Sequence, residues 1–315
     1  MDTNLLFPSL EVHLLREGIT ESIHQCHAVI SDHRGRVLSS SGTRLPPTFI
    51  RSALKPFQAL AVLRAGADQA FRMGDADLAI LCSSHSGETI HARRVFNLLW
   101  RLGLDPAYLS CPIPVGKNSP LQHNCSGKHA GMLAICRQQG WPVEKYADRR
   151  HPVQKLIAQT LAELLGMPAD EFIPARDDCG VPTYQMQLSQ MAWLYAQLSS
   201  GSQAALECLA RAMVHEPVMV AGEDRFDTVL MQLSAGELVS KAGAEGIQCV
   251  GKMGEGMGLA VKVLDGANRA KYPVVIHLLR QLGWIDPMVA ETLSEKFAVL
   301  GPYQRLEVVG ELDVP

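Results

Sequence analysis

The order of patterns along the chain predicts an α/β (α+β) fold, in which a sheet is flanked by helices and a largely helical region is inserted. Strand-like segments come first, helical spacing of apolar residues fills the middle, and strand and helix patterns return at the end. A length of 315 residues suits about two domains or one large one. We expect a single unit over residues 1–315, with its sheet part at roughly 10–50 and 235–315 and its helical part at roughly 51–234.

The beginning of the chain predicts a β-hairpin. Residues 26–31 are rich in apolar side chains, residues 32–35 have the composition of a turn, and residues 36–39 return as a second strand. Further on, a compact apolar run at 76–82 fits either a buried strand or a helix, because periodicity does not separate the two over so short a segment.

The middle of the chain predicts helices. Apolar residues recur at helical spacing over residues 153–165, 188–198 and 204–214. Gly166 follows the first of these stripes and Gly201 follows the second, and glycine is the usual residue just past a helix end. This region accounts for the helical part of the predicted fold.

The end of the chain predicts two strands and then two helices. The strands, 247–250 and 259–263, are separated by a glycine-rich turn. The helices, 272–282 and 288–299, are amphipathic, and Asp286 can cap the second. Because a strand rather than a helix follows the glycines, we interpret this segment as a hairpin and not as a nucleotide-binding loop.

Composition and charge exclude several classes of protein. Hydrophobic residues make up 47% of the chain and charged residues 19%, which excludes a disordered chain and a coiled coil. The formal net charge of −3 gives no electrostatic footprint for nucleic acid or an anionic membrane. Eight cysteines, no basic stretch at the N-terminus and no run of about 18 uncharged apolar residues predict a cytoplasmic protein with reduced thiols.

A Ser-x-x-Lys sequence, from Ser52 to Lys55, is the first candidate catalytic motif. Residues three apart share a helix face, so the hydroxyl and the amine can meet, and a desolvated lysine can take the proton of the serine. Pro56 requires a helix here to begin at about Ser52 or Ala53, which places Ser52 beside the unpaired N–H groups of a helix N-terminus. The alternative is that Ser52 only caps the helix and that Lys55 is a solvated charge.

A second hydroxyl and a second amine come from separate segments. Lys241-Ala242-Gly243 precedes a strand-like segment and resembles the Lys-Thr-Gly box of penicillin-binding proteins and serine β-lactamases. Ser84, within a Ser-Ser-His-Ser-Gly sequence, is the candidate for the second hydroxyl. The middle Ser-Asp-Asn box of those enzymes is absent, and Lys241 taken by itself fits a surface charge better.

Two segments supply thiols and an amine that suit a metal site. Residues 124–129 contain Cys125 and Lys128, and residues 177–180 contain Cys179. Thiolates are good zinc ligands, but two cysteines alone leave the metal under-coordinated, so other ligands or water must join them. Lysine must lose its proton before it can ligate. The alternative is a pair of buried thiols without a metal.

Six segments occur in an informative order: 51–56 (Arg-Ser-Ala-Leu-Lys-Pro), 82–86 (Cys-Ser-Ser-His-Ser), 124–132 (Asn-Cys-Ser-Gly-Lys-His-Ala-Gly-Met), 177–179 (Asp-Asp-Cys), 219–225 (Met-Val-Ala-Gly-Glu-Asp-Arg) and 241–244 (Lys-Ala-Gly-Ala). Together they resemble the rhizobial-type L-asparaginases, also called the asparaginase II or class 3 family. The resemblance covers nearly the whole chain, and its most specific part is the Asn-Cys-Ser-Gly-Lys-His block.

The resemblance implies a hydrolase that converts L-asparagine to L-aspartate and ammonia in asparagine catabolism. It implies a fold like the serine β-lactamases and glutaminases, a single catalytic unit and a homodimer. It also implies two catalytic Ser-Lys pairs, Ser52 with Lys55 and Ser84 with Lys241. On this scheme Ser52 attacks the side-chain amide, neutral Lys55 accepts its proton, and the second pair relays that proton to the leaving ammonia.

The family's zinc ligands correspond to Cys125, Lys128 and Cys179, with a water as the fourth ligand, and Asp177 matches the acidic residue that supports them. We expect this zinc to act in substrate binding rather than in water activation, because the serine already supplies a nucleophile.

Three further residues are candidates for substrate binding. Arg51 and Arg225 can hold the substrate α-carboxylate, because a guanidinium group binds a carboxylate through two parallel hydrogen bonds. His129, in the most specific block, is placed with them.

Two other functions stay open at this point. One is a glutaminase or another β-lactamase-like acyl-serine hydrolase, although the missing Ser-Asp-Asn box argues against β-lactam substrates. The other is a non-catalytic zinc-binding or ligand-sensing protein on the same scaffold.

Overall fold

The computed structural model describes residues 10–41 and 47–313. In chain order its strands are β1 (Leu10–Arg16), β2 (Ile19–Asp32), β3 (Val37–Ser40), β4 (Thr48–Phe49), β5 (Pro174–Arg176), β6 (Pro182–Met186), β7 (Leu238–Ala242), β8 (Ile247–Lys252), β9 (Met257–Val263), β10 (Val299–Gly301) and β11 (Gln304–Val309). Its helices are α1 (Lys55–Arg64), α2 (Ala67–Ala70), α3 (Asp75–Leu81), α4 (Thr89–Arg101), α5 (Ser126–Gln139), α6 (Pro152–Leu165), α7 (Leu188–Ser199), α8 (Ala204–His215), α9 (Pro217–Val220), α10 (Phe226–Leu233), α11 (Asn268–Gln281) and α12 (Pro287–Phe297).

The described chain separates into two compact units. The first contains the described residues up to Thr48, then Met186–Gly201, then the chain from Leu233 onwards. The second contains Phe49–Gln185 and Ser202–Gln232. The chain therefore leaves the first unit twice and returns to it twice, so neither unit is one continuous stretch of sequence.

The first unit is built on an antiparallel sheet. Its strands lie in the order β10-β11-β1-β2-β9-β8-β7, and β3 pairs with β2. Every neighbouring pair in this sheet is antiparallel. Together with the many helices, this sheet has the α+β character that the sequence predicts. A fold of the β-lactamase type stays a prediction.

Both hairpins expected from the sequence are confirmed. Strands β2 and β3 pair around a tight turn, in which Gly35 has a φ of +84°. Strands β8 and β9 pair along the whole of β8, from Ile247 opposite Lys262 to Lys252 opposite Met257. The glycines between them turn the chain, since Gly254 and Gly256 have φ values of +78° and +63°. The glycine-rich segment is therefore a turn between strands and not a nucleotide-binding loop.

Helix α7 belongs to the first unit, whereas the pattern of the sequence predicts residues 188–198 within the helical part. The helix packs across β2, β8 and β9. A Cβ atom on Gly258 would lie 2.1 Å from the carbonyl oxygen of Ala192, and one on Gly251 would lie 2.6 Å from that of Tyr195. These two glycines let the helix backbone come close to the sheet, an approach that hydrophobic periodicity does not reveal.

The two C-terminal helices confirm the pattern at the end of the sequence. Helices α11 and α12 cover most of the predicted segments. Asp286 caps α12, because its Oδ1 accepts the N–H of Val289 at 2.8 Å. Pro287 takes the first helical position, where its missing N–H has no intrahelical partner to lose.

The second unit is largely helical and carries a three-stranded sheet in the order β4-β6-β5. The apolar run at 76–82, which periodicity left undecided, is the helix α3. Asp77 closes its first turn, because Asp77 Oδ2 accepts the N–H of Gly74 at 3.2 Å. Helices α6 and α8 confirm two predicted helices, and α6 ends where Gly166 takes a φ of +59°.

No helix within residues 10–41 and 47–313 is both long enough and apolar enough to span a membrane. All eight cysteines lie in this described part of the chain, and none forms a disulfide. Seven of them are buried, and Cys208 is exposed.

Candidate active site

The turn before α1 positions Ser52 and Lys55. Residues Arg51–Leu54 form a 3-10 turn, and the α-helix begins at Lys55 with Pro56 in its first turn. The N–H of Lys55 donates to the carbonyl oxygen of Ser52. An α-helix that included Ser52 would bring this carbonyl against the ring of Pro56. The expected helix start at Ser52 or Ala53 is therefore replaced by a tighter turn that leads into the helix.

Lys55 is fully buried, so it is not the solvated charge of the alternative interpretation. Its Nζ donates to the carbonyl oxygens of Ser83 at 2.5 Å and Asn124 at 3.2 Å. It also lies 2.9 Å from Ser84 Oγ. Burial lowers the pKa of Lys55, and the ammonium of Lys128 lowers it further, while the thiolate of Cys125 acts in the opposite direction.

The structure thus brings Lys55 to the hydroxyl of Ser84. Ser52 is half-buried, and within the described part of the chain its Oγ makes no hydrogen bond. Catalytic roles for Ser52, Lys55 and Ser84 stay predictions.

Backbone hydrogen bonds hold the loop that carries Ser84. The N–H of Ser84 donates to the carbonyl oxygen of Val220 at 2.8 Å, and the N–H of Ser86 donates to that of Ala221 at 2.9 Å. Gly222 follows, with a φ of +113°, and a Cβ atom there would lie 2.2 Å from Ser86 Oγ. The glycine of the 219–225 motif is required by this close approach.

His85 joins the Ser84 loop to helix α5. The N–H of Gly87 donates to His85 Nδ1 at 3.1 Å, which leaves the ring proton of the neutral histidine on Nε2. His85 Nε2 lies 2.9 Å from Ser126 Oγ, in the first turn of α5. Burial and the neighbouring His91 hold the pKa of His85 well below its ordinary value, so the ring is neutral. The sequence gives no indication of this role of His85 other than the position of the residue within the 82–86 motif.

A second group of side chains lies where α5 begins and where β5 ends. Cys125 immediately precedes α5, and Asp177 and Cys179 lie in a turn closed by a hydrogen bond from the N–H of Gly180 to the carbonyl oxygen of Asp177, at 2.8 Å. The sulfur atoms of the two cysteines and a carboxylate oxygen of Asp177 lie within 4.8 Å of one another, and all three residues are buried. This group could hold a metal ion.

Lys128 lies beside the same group. Its Nζ donates to Asp177 Oδ2 at 3.1 Å. Burial lowers the pKa of Lys128, but the negative charges of Cys125, Cys179 and Asp177 outweigh burial and raise it above its ordinary value. The three residues predicted as zinc ligands are therefore close together, and Asp177, predicted to support them, is itself in a position to ligate.

The pKa values of the two thiols shift in opposite directions. The hydrogen bond with Cys179 and the positive charges of Lys128 and Lys55 hold the pKa of Cys125 well below its ordinary value, against the effect of burial. The same hydrogen bond and burial raise the pKa of Cys179. Two thiolate ligands would require this pair to lose its protons, which the positive charges of Lys128 and Lys55 favour at Cys125.

Arg51 points its guanidinium group at the acidic turn. Its Nε donates to Asp177 Oδ1 at 2.8 Å and its Nη2 to Asp178 Oδ2 at 2.6 Å. Arg51 has a φ of +53°, an uncommon conformation for a residue with a side chain. Burial raises the pKa of Asp177, but Lys128 and Arg51 outweigh it and hold that pKa below its ordinary value. Asp177 thus links Arg51 to Lys128.

The other two predicted substrate-binding residues lie in different surroundings. Arg225 is exposed, just before α10. His129 is fully buried in α5, and its Nδ1 lies 2.6 Å from the hydroxyl of Tyr146. Burial lowers the pKa of His129 to about 3, so this ring is neutral. Binding roles for both stay predictions.

Lys241 lies in strand β7 of the first unit. It is fully buried, so the surface-charge interpretation is wrong. Its Nζ donates to the carbonyl oxygen of Ala242 at 2.9 Å. The predicted pairing of Lys241 with Ser84 stays a prediction.

Comparison with known protein families finds a match to this chain. A family model described as L-asparaginase II matches residues 12–314, nearly the whole chain. No curated protein matches the chain.

Proposed function

The chain belongs to the L-asparaginase II family, and we propose that it hydrolyses the side-chain amide of L-asparagine to L-aspartate and ammonia. Membership of this family supports an amidohydrolase. The choice of asparagine as substrate rests on the family and on the resemblance described above.

The buried contact between Lys55 and Ser84 is the observation that carries the proposal. Two of the three neighbours of Lys55 Nζ are backbone carbonyl oxygens, which can only accept. A neutral amine donates its two protons to them, and its lone pair is then left for the hydroxyl of Ser84. Burial lowers the pKa of Lys55 and so favours this neutral form. A serine beside a neutral lysine is an arrangement suited to acyl transfer.

In the proposed mechanism, the hydroxyl of Ser84 releases the lone pair of Lys55, Ser52 Oγ attacks the amide carbon of the substrate, and the Ser52 proton passes to Lys55. The tetrahedral intermediate carries its negative charge on the former carbonyl oxygen, near N–H groups of the turn at Ser52. Its collapse breaks the C–N bond, and Ser84, with Lys241, passes the proton to the leaving nitrogen, which departs as ammonia. Water then hydrolyses the acyl-enzyme, releases L-aspartate and restores the serine.

The contact with Lys55 also supports a second assignment, in which Ser84 is the nucleophile. Both schemes use Lys55 as the base, and they differ in which serine oxygen becomes acylated. Arg51 and Arg225 are proposed to bind the substrate α-carboxylate, and His129 another oxygen of the substrate.

We propose zinc as the ion for the group at Cys125. Two thiols and the Asp177 carboxylate provide sulfur and oxygen donors in one buried place, and thiolate donors suit zinc. Lys128 lies beside them, and its amine would have to lose the proton that it holds against Asp177 before it could join as a nitrogen ligand. When bound, the ion would supply a fixed positive charge for orienting the substrate. A homodimer and a cytoplasmic location are further proposals, which rest on the resemblance and on the reduced cysteines.

Ammonia release from L-asparagine and from L-glutamine tests the proposed function. We expect turnover of asparagine, while faster turnover of glutamine would identify a glutaminase. Covalent labelling by a penicillin would support a β-lactamase-like hydrolase instead. If neither amide releases ammonia, the proposal is wrong and the non-catalytic alternative is favoured.

A further inference from the structure

We propose that Tyr146 is a positioning residue, which holds His129 as the tautomer with its proton on Nε2, so that this N–H donates a hydrogen bond to an oxygen atom of the bound substrate. The inference rests on the proposed function, because it takes the ligand to be an amino acid with carboxylate and amide oxygens.

The hydrogen bonds around Tyr146 determine the direction in which its hydroxyl donates. The N–H of Ser110 donates to Tyr146 Oη at 2.8 Å. A backbone N–H cannot accept, so the phenol proton must go to another group. His129 Nδ1 is 2.6 Å away, and the two rings meet edge to face. If Nδ1 donated instead, the phenol proton would have to go to the side chain of Ser110, an exposed residue that also bonds the Tyr146 hydroxyl. The shorter contact is the one with the buried His129 Nδ1, and we take the phenol to donate there.

Tyr146 itself is fixed in place. It lies between α5 and α6, and its carbonyl oxygen accepts a hydrogen bond from Gln154 Nε2 at 2.8 Å. The residue is therefore held through its backbone by Gln154 and through its hydroxyl by Ser110. A phenol anchored in two places presents a defined partner to His129.

The proton on the other nitrogen of His129 has no partner. Because Nδ1 accepts, the neutral ring carries its proton on Nε2. His129 is fully buried, and no described residue lies within hydrogen-bond reach of Nε2. Buried N–H groups in folded proteins are nearly always paired. The arrangement is explained if the acceptor arrives with a ligand.

The position of His129 is consistent with such a ligand. It belongs to the first turn of α5 together with Lys128, and Cys125 immediately precedes this helix. The Lys55 amine reaches the same segment of the chain, because it donates to the carbonyl oxygen of Asn124, one residue before Cys125, at 3.2 Å. The acceptor would be a carboxylate or carbonyl oxygen. A buried water that accepts from Nε2 is the competing explanation.

Nitrogen NMR of ¹⁵N-histidine-labelled protein tests the tautomer without any assay of activity. His129→Gln removes one pair of signals and so assigns them. We expect Nε2 to be protonated and Nδ1 to be unprotonated in the wild type, and the Nε2 signal to shift when L-aspartate is added. A protonated Nδ1 would overturn the proposal. An Nε2 signal that does not change when L-aspartate is added would also overturn it, because that result is expected if Nε2 donates to a buried water.

Tyr146→Phe tests the positioning role. The variant lacks the proton that Nδ1 accepts, so we expect its His129 to be a mixture of tautomers. We also expect the KM for asparagine to rise about tenfold, which corresponds to the loss of one hydrogen bond, and kcat to change less. Tyr184→Phe is the matched control, since Tyr184 is a buried tyrosine of the same unit whose hydroxyl bonds no described residue. An unchanged tautomer in Tyr146→Phe would overturn the role of Tyr146, even if the variant is less stable.

The two proposals fail in different ways. If the protein releases no ammonia from either amide, the proposed function fails, and the tautomer and the response to L-aspartate still decide this inference. If the protein is active but its Nε2 signal ignores L-aspartate, only this inference fails.

Discussion

Lys55 is fully buried, and its amine has three oxygen atoms as hydrogen-bond partners. The proposed chemistry depends on whether this amine is neutral or charged. Burial works against the ammonium form, whereas the neighbouring thiolate favours it, and burial is the larger effect. A lysine that titrates below its ordinary value can act as a base at lower pH than a lysine in water.

The pH dependence of kcat/KM should report this titration. Only neutral Lys55 can accept a proton, so activity should rise with pH through a limb that lies below the ordinary lysine value of 10.5. Lys262→Met is the control, because burial also lowers the pKa of Lys262, in the other unit, and this variant should keep the limb. Lys55→Met should be inactive at every pH. A wild-type profile that is flat from acid to alkaline pH would contradict lysine as the base.

Ser52→Ala should abolish turnover, with a loss on the order of a thousandfold or more, since the variant lacks the attacking oxygen. The melting temperature should change by no more than a few degrees, because the hydroxyl is half-buried and makes no hydrogen bond within the described chain. Steady-state kinetics and thermal unfolding measure both. A variant that keeps more than a tenth of the wild-type rate removes Ser52 from the role of nucleophile.

A reactive diazoketone analogue of asparagine should distinguish the two serines. If Ser52 is the nucleophile, mass spectrometry of the labelled protein should find the adduct on Ser52, and Ser84→Ala should still be labelled, more slowly. If the adduct is on Ser84 and is lost in Ser84→Ala, the second assignment is correct.

At this scale, the sequence predicts side-chain chemistry better than it predicts neighbours. Cys125, Lys128 and Cys179 were predicted together, and the structure places them together. The carbonyl oxygens of Ser83 and Asn124, which surround Lys55, could not be predicted, because any residue type supplies a carbonyl. The position of such a group depends on loop geometry rather than on composition.

Among the elements, the packing of α5 on α3 connects the two parts of the site within the second unit. Gly127 lies in the first turn of α5, and a Cβ atom there would be 1.9 Å from the carbonyl oxygen of Ile80. Ser83 Oγ donates to this same carbonyl at 2.7 Å. One carbonyl group at the end of α3 therefore contacts both the loop that carries Ser84 and the helix that carries Lys128. This contact explains why the 124–132 block requires a glycine.

Gly127→Ala should destabilise the protein by about 3 kcal/mol or more, because backbone atoms on both sides cannot move aside. Alanine favours a helix over glycine by only about 1 kcal/mol, so the clash decides the sign. Gly131→Ala is the control in the same helix, because its Cβ atom would meet only flexible side chains, the nearest being Leu81 at 3.0 Å. Denaturant unfolding measures both. Equal stability of the two variants would contradict the close packing of α5 on α3.

The sequence predicted most elements but not how α3 forms. The segment at 76–82 was compatible with a strand because its apolar residues are continuous, and α3 is indeed buried over most of its length. What identifies the helix is the hydrogen bond between Gly74 and Asp77, a terminal signal rather than a periodic one. Helices with one apolar face, such as α6, were found from periodicity because only part of each is buried.

At the scale of the whole molecule, the sequence predicted a sheet part and a helical part but not the exchange of segments between them. Helix α7 lies between two segments of the second unit along the chain and yet packs on the sheet of the first. The hydrophobic stripe of α7 is like those of α6 and α8, and the stripe alone does not indicate on which surface the helix packs. The close contacts at Gly251 and Gly258 specify that surface, and they depend on residues far apart in the sequence.

The metal group is the other long-range connection, because it joins the start of α5 to the turn after β5. A bound ion would hold these two segments together only in the folded chain, so its binding should stabilise the fold. We expect about one zinc ion per chain in protein purified without chelator, and we expect chelation to lower the melting temperature and to raise KM for asparagine more than it lowers kcat.

Cys125→Ser should lose the metal and reproduce the effects of chelation in the untreated protein. The matched control is Cys208→Ser, since Cys208 is exposed and lies outside the group. Both variants remove one thiol, so a difference between them isolates the metal from general effects of cysteine loss. Metal analysis that finds well under one ion per chain would leave Cys125 and Cys179 as two buried thiols. An unchanged KM after complete chelation would separate the metal from substrate binding and restrict it to stabilising the junction between α5 and the acidic turn.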